Sequence, residues 1–125
     1  MRTKTANTKP GAVVTVSRVV VEALSANEKA QAAVDKFCAR ADSEVKPDDD
    51  ETLAALCEAE IKTLFALLDL KPISAADVAL VVGYVAKKGA GERGYIFPET
   101  DDGGYCELLL RAVARWLSDL SGFNV

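Results

Sequence analysis

The chain contains no histidine. That absence removes the commonest general base, the commonest metal ligand, and every Ser–His or Cys–His nucleophile pair. Catalysis would fall to carboxylates, Lys, Tyr or Cys. Cysteine is scarce: three residues give no disulfide framework and fit a reducing compartment. Long apolar runs are missing too. The longest without a charge, residues 78–86, falls well short of the ~20 residues a spanning helix needs. Residues 1–9 hold no apolar core of a secretory signal. The expected compartment is therefore cytoplasmic, with no membrane partner. Clustered bases are also lacking. Residues 42–60 carry eight acids and one base, −7 of a total of −4, so the remainder sums to only +3. Phosphate contacts need grouped Lys and Arg, so no nucleic-acid partner is expected.

What is present is the composition of an ordinary globular domain: 125 residues, 50% apolar and 27% charged. Residues 1–11, with Arg2, Lys4 and Lys9 among Thr, Asn and Pro, have no apolar periodicity and read as a flexible basic tail. Residues 12–125 read as a single helical domain. Its first stretch, 12–21, is ambiguous: six valines favour a strand, but no convincing strand partner follows.

From Ser17 onward helix formers dominate, and the spacing predicts a first helix over 17–42. Its inner stripe is Ala23, Ala26, Ala30, Val34, Phe37 and Ala41, with Cys38 beside it. Ser25 with Glu28 has the form of a capping box, which would allow a break there. Lys46-Pro47 makes a turn, and a second helix is expected over 50–70 with Ala54, Cys57, Ile61, Leu64 and Leu68 inward. Lys71-Pro72 ends it, and Ser74 with Asp77 marks the start of a third helix over 75–88. That third helix is apolar nearly all round, which implies burial on several sides. A 16-residue connection, 89–104, precedes a fourth helix over 103–120, lined by Tyr105, Leu109, Ala112, Val113, Trp116 and Leu120. The fold expected is all-α: a four-helix antiparallel bundle-like domain, no sheet, and a long loop before the last helix. The core is expected to be led by Phe37, Ile61, Leu64, Leu68, Val81, Val85, Leu109, Val113 and Trp116. The short turn between the first two helices also predicts that Cys38 and Cys57 lie close together, buried and reduced.

The motifs Leu64-Phe65-Ala66-Leu67-Leu68, Lys71-Pro72-Ile73-Ser74, Leu80 through Val85, Phe97-Pro98 and Leu108 through Trp116 carry a resemblance. In that order they resemble a set of short uncharacterised helical proteins abundant in alphaproteobacterial genomes. Those proteins have a leucine-rich helix, a Pro-containing break, a short apolar helix ending in Tyr, an aromatic-Pro loop and a final amphipathic helix. Val81-Val82-Gly83 stands where those proteins usually keep Leu and Arg before the Tyr. The resemblance implies the helical map and carries no activity.

Four local patterns invite chemistry. Gly89, Gly91 and Gly94 spell G-x-G-x-x-G, but a helical segment precedes them and Pro98 follows, which is not the strand–turn–helix that cradles a pyrophosphate. Glu99, Asp101 and Asp102 before Gly103-Gly104 offer oxygen ligands, yet position 12 of an EF-hand loop would be Leu110, so no metal or cofactor is expected. Cys106 falls in the first turn of the fourth helix, where the dipole lowers a thiol pKa and Asp101, Asp102 and Glu107 oppose it, which makes it a candidate reactive thiol. Tyr95, Ile96, Phe97 and Pro98 form an apolar patch rimmed by charge: a candidate partner site if exposed, a plug for the bundle end if tucked in. No catalytic set emerges. The expected function is a non-catalytic helical interaction module with a protein partner or a homo-oligomeric state. The alternative is a small-molecule-binding or enzymatic domain built on the loop 89–104.

Overall fold

A computed structural model describes residues 16–40, 42–91 and 95–122. The basic tail 1–11, residues 12–15 of the ambiguous stretch, Ala41 and the loop residues 92–94 lie outside the described residues. Four helices carry the fold: α1 Arg18–Cys38, α2 Asp49–Ala66, α3 Ala75–Gly89 and α4 Tyr105–Ser121. Short 3-10 turns, Asp42–Glu44 and Leu67–Asp69, follow α1 and α2. The domain is all-α, with one addition to the expected map. Within the long loop, β1 Glu99–Thr100 pairs antiparallel with β2 Gly103–Gly104 in a small hairpin. Gly103 sits at φ +124, where a side chain would be strained, so glycine permits this turn.

Local chemistry sets the helix ends. The Ser74 hydroxyl accepts a hydrogen bond from the Asp77 N–H and caps α3. Asp77 is itself buried and accepts from Ser17 N–H (2.7 Å) and Ile73 N–H (2.9 Å), so one carboxylate ties the start of α1 to the start of α3. Helix α1 runs unbroken through Ser25, and residues 18–21 are helical despite their valines. At the far end, Arg40 pairs with Asp49 at 2.6 Å across the turn. The Asp49 carboxyl is held below its ordinary pKa, chiefly by the Lys46 N–H and then by Arg40.

The helices alternate in direction. Asn27 meets Glu60 between α1 and α2, Asn27 meets Tyr84 and Gln31 meets Lys88 between α1 and α3, and Trp116 of α4 reaches back to Leu70. Helices α1 and α3 therefore run side by side in one direction. Because α3 ends level with Gln31, the last seven residues of α1 extend past it by roughly 10 Å with α2 alongside.

The core comprises Val20, Leu24, Leu64, Leu67, Val78, Val81, Val85, Tyr105, Leu109, Ala112 and Trp116. Leu64, Val81, Val85, Leu109 and Trp116 were expected there, and Leu68 and Val113 pack against it. Ile61 and Phe37 require correction. Ile61 is 40% exposed and Phe37 is only half-buried, under the Arg40 guanidinium. The inward face of α2 passes through Glu60, one residue away from the predicted stripe. Helix α1 turns Val20, Leu24 and Asn27 inward and leaves Ala26 exposed. Cys38 is likewise exposed and Cys57 half-buried, so they do not form a buried thiol pair. Cys38 ends α1, in the stretch that runs past the end of α3. On α4, Leu120 is exposed rather than inward.

Helix α3 departs furthest from expectation. Its sequence is apolar nearly all round, yet it buries only the side bearing Asp77, Val78, Val81 and Val85. Leu80, Val82 and Gly83 face solvent.

Candidate functional site

Two features meet on the α1/α3 side of the molecule: an open groove and a buried polar network beneath its upper end. The network centres on Asn27, which is fully buried. Its amide nitrogen, with two N–H groups to donate, lies within hydrogen-bond distance of the Glu60 carbonyl (2.9 Å), Glu60 Oε2 (3.2 Å) and Thr63 Oγ1 (3.0 Å). Its Oδ1 accepts from Tyr84 OH (2.6 Å) and Lys88 Nζ (3.2 Å). Lys88 Nζ also donates to Gln31 Oε1 (3.0 Å) and pairs with Glu60 Oε2 (3.0 Å), and both charged side chains are under a tenth exposed. Tyr95 OH donates to the Glu60 carboxylate at 2.9 Å.

The charged groups of this set are met within it. The three N–H groups of Lys88 meet three acceptors, and both Glu60 oxygens are occupied. A buried ion pair is tolerated only when its remaining polar atoms are satisfied in this way. Among the described residues, the members of this set bond chiefly to one another. The arrangement is a latch joining α1, α2, α3 and the loop after α3.

The aromatic loop completes the latch. Lys88 Nζ sits 4.2 Å from the centre of the Tyr95 ring. Tyr95 meets Phe97 edge-on at 4.9 Å, Phe97 stacks on Tyr105 at 5.6 Å, and Tyr105 meets Phe65 edge-on at 5.2 Å. Tyr105 OH donates to the Leu64 carbonyl (2.8 Å). Gly89 matters for this packing: a Cβ there would stand 2.9 Å from the Phe97 ring. Burial, more than the nearby carboxylates, pushes the Tyr84 phenol up to about 12, and it raises Tyr95 and Tyr105 further.

The four-residue patch of the sequence thus divides. Tyr95, Phe97 and Pro98 are half-buried, with both rings packed inward, while Ile96 stands 89% exposed. Gly89 ends α3 and does not follow a strand. Cys106 is exposed on the first turn of α4. Among the described residues, no three His, Cys, Asp or Glu side chains gather where they could hold a metal ion. No helix among them is long and apolar enough to cross a membrane.

Over the latch lies the groove. Val21, Leu24 and Glu28 of α1 form one wall, and Leu80, Gly83 and Tyr84 of α3 the other, around a volume of about 620 Å³. A second hollow of about 340 Å³ continues it past Tyr84 to Gln31, Asp35 and Lys88. Val21 is 48% and Leu80 37% exposed, and nothing lies within 4 Å of a Cβ placed on Gly83. A separate hollow of about 510 Å³ lies where the α2–α3 connection meets α4, beside Trp116, Lys71 and Arg115.

Reading apolar residues alone misses the latch. Its residues are polar side chains on apolar stripes: Asn27 three after Leu24, Glu60 four before Leu64, Lys88 three after Val85. Such interruptions were the available signal. No known protein family, curated protein or solved structure matches this chain. The functional argument therefore rests on its own residues.

Proposed function

We propose that this chain is a non-catalytic helical interaction module whose α1/α3 face receives a protein partner. The observation that carries the reading is the uncovered side of α3. A helix apolar nearly all round belongs under cover on several sides, and this one is covered on one. The groove beside it is walled by apolar and small residues, with one acid and one lysine at its rim. The polar groups beneath are consumed by one another, which suits a rigid scaffold better than a reaction centre. Building a small-molecule site on the loop 89–104 has less support, because Tyr95 and Phe97 are spent on packing. The proposed setting is cytoplasmic, without nucleic acid or membrane.

The test is recovery of bound protein from the native cell with tagged wild type and tagged Leu80→Asp. Leu80 is partly exposed, so the variant should keep its helicity by circular dichroism. Wild type should bring down a partner that the variant loses. Equal recovery by both would place any interaction elsewhere.

A further inference from the structure

The partner that the groove fits best can be named from its own charges. Glu28 on α1 and Lys87 on α3 stand on opposite rims, and neither makes an ion pair or hydrogen bond among the described residues. The two helices run parallel with a nearly constant offset: Ser17 with Asp77, Asn27 with Tyr84, Gln31 with Lys88. By that offset Lys87 lies about two residues above Glu28, or roughly 3 Å along the helix axes.

We infer that the occupant of the groove is a second copy of this chain, in a two-fold dimer that lays α1 of each copy over α3 of the other. The inference rests on the reading of the groove as an interaction face and names its partner. Two kinds of two-fold axis can bring the faces together. An axis across the helices sets α1 on α1 and α3 on α3, and at the level of these residues it opposes Glu28 to Glu28 and Lys87 to Lys87. An axis along the helices sets α1 on α3, and Glu28 meets Lys87 of the second copy at both ends of the symmetry operation. Only the second sets Glu28 against Lys87, an opposite charge at both symmetry-related places. It also covers Val21 with the far copy's Leu80 and brings apolar surface over Gly83, where the face is open.

The size of the face sets the strength. Helix α3 is about 22 Å long, and two helices side by side are about 20 Å wide. A face of that outline is about 440 Å², roughly half of a standard interface of about 800 Å² per partner, so the dimer is weak and reversible, with a Kd in the micromolar range or weaker.

The experiment is sedimentation of the purified full chain from about 1 to about 500 µM, a span that brackets such a Kd. Wild type should move from 13.3 kDa toward twice that mass. Glu28→Lys and Lys87→Glu should each weaken association by roughly tenfold or more, because each sets like charges opposite at two places. An equimolar mixture of the two single variants should recover association, since every contact in the mixed dimer is again Lys against Glu. Both sites are exposed, and circular dichroism will establish that the variants are folded. A wild type that stays at 13.3 kDa overturns the second copy as occupant, and the native-cell comparison of Leu80→Asp then decides the groove by itself. A wild type that dimerises with all variants unaffected overturns the inference, and the Leu80→Asp comparison again decides the groove. Weakening without recovery in the mixture overturns the proposed symmetry.

Discussion

At the scale of single residues, the decisive group is the Glu60–Lys88 pair. Taking both charges out of water is costly, and their mutual attraction offsets that cost only with further hydrogen bonds. Asn27, Gln31 and Tyr95 supply them. Removing one partner therefore costs more than removing both. Lys88→Met leaves a carboxylate under a tenth exposed without its counter-charge, and should cost about 3–5 kcal/mol in urea unfolding. Glu60→Met combined with Lys88→Met should recover most of that loss. A cost for Lys88→Met below ~1 kcal/mol would mean that the pair is solvated and that the latch does not bind the helices together.

At the scale of elements, the helices and their order were legible in the sequence, and the facing of two of them was not. Periodicity fixes a helix by where its apolar residues recur. It places Leu64, Val81, Val85, Leu109 and Trp116 correctly, since each recurs at helical spacing with other apolar residues. On α2, Ile61 outweighs Glu60 in any apolar count, so the stripe shifts by one residue. On α1 the alanines at 23, 26 and 30 draw the stripe away from Asn27. Both errors share a cause: the inward residue is polar and is satisfied only by partners distant in sequence. The small hairpin escaped for another reason, since two-residue strands have no period to detect. The loop from Tyr95 to Pro98 alternates in a way that composition cannot reveal. Phe97 lies between Tyr95 and Tyr105, and Ile96 points to water. Phe97→Ala should then cost roughly 2 kcal/mol or more, less than a fully buried Phe because the ring is half-exposed. Ile96→Ala should stay within about 0.5 kcal/mol of wild type. Equal losses at the two positions would show that the loop packs with the opposite face inward.

At the scale of the whole molecule, all three tyrosines report on the same end of the fold. Tyr84 touches Asn27, Tyr95 touches Glu60, and Tyr105 touches Leu64, so each phenol joins two elements. Burial is the chief cause of their raised pKa values, with Tyr84 at about 12 and the other two higher. A denatured chain releases phenol protons near pH ~10, while the native fold still holds them. Between that pH and the native pKa values the unfolded state binds fewer protons, so stability falls as pH rises. Below pH ~10 the tyrosines are protonated in both states and add no pH dependence. Phenolate absorbance followed against pH should therefore be nearly flat for the native protein at about pH 11, where the denatured chain is mostly ionised. When ionisation does come, it should coincide with loss of helicity, since a phenolate at Tyr95 would face the Glu60 carboxylate it now donates to. Three phenols titrating independently near pH ~10 with the helices intact would mean that water reaches this end of the bundle freely. The latch would then be a solvated cluster, and the rigid support it gives the α1/α3 face would be lost with it.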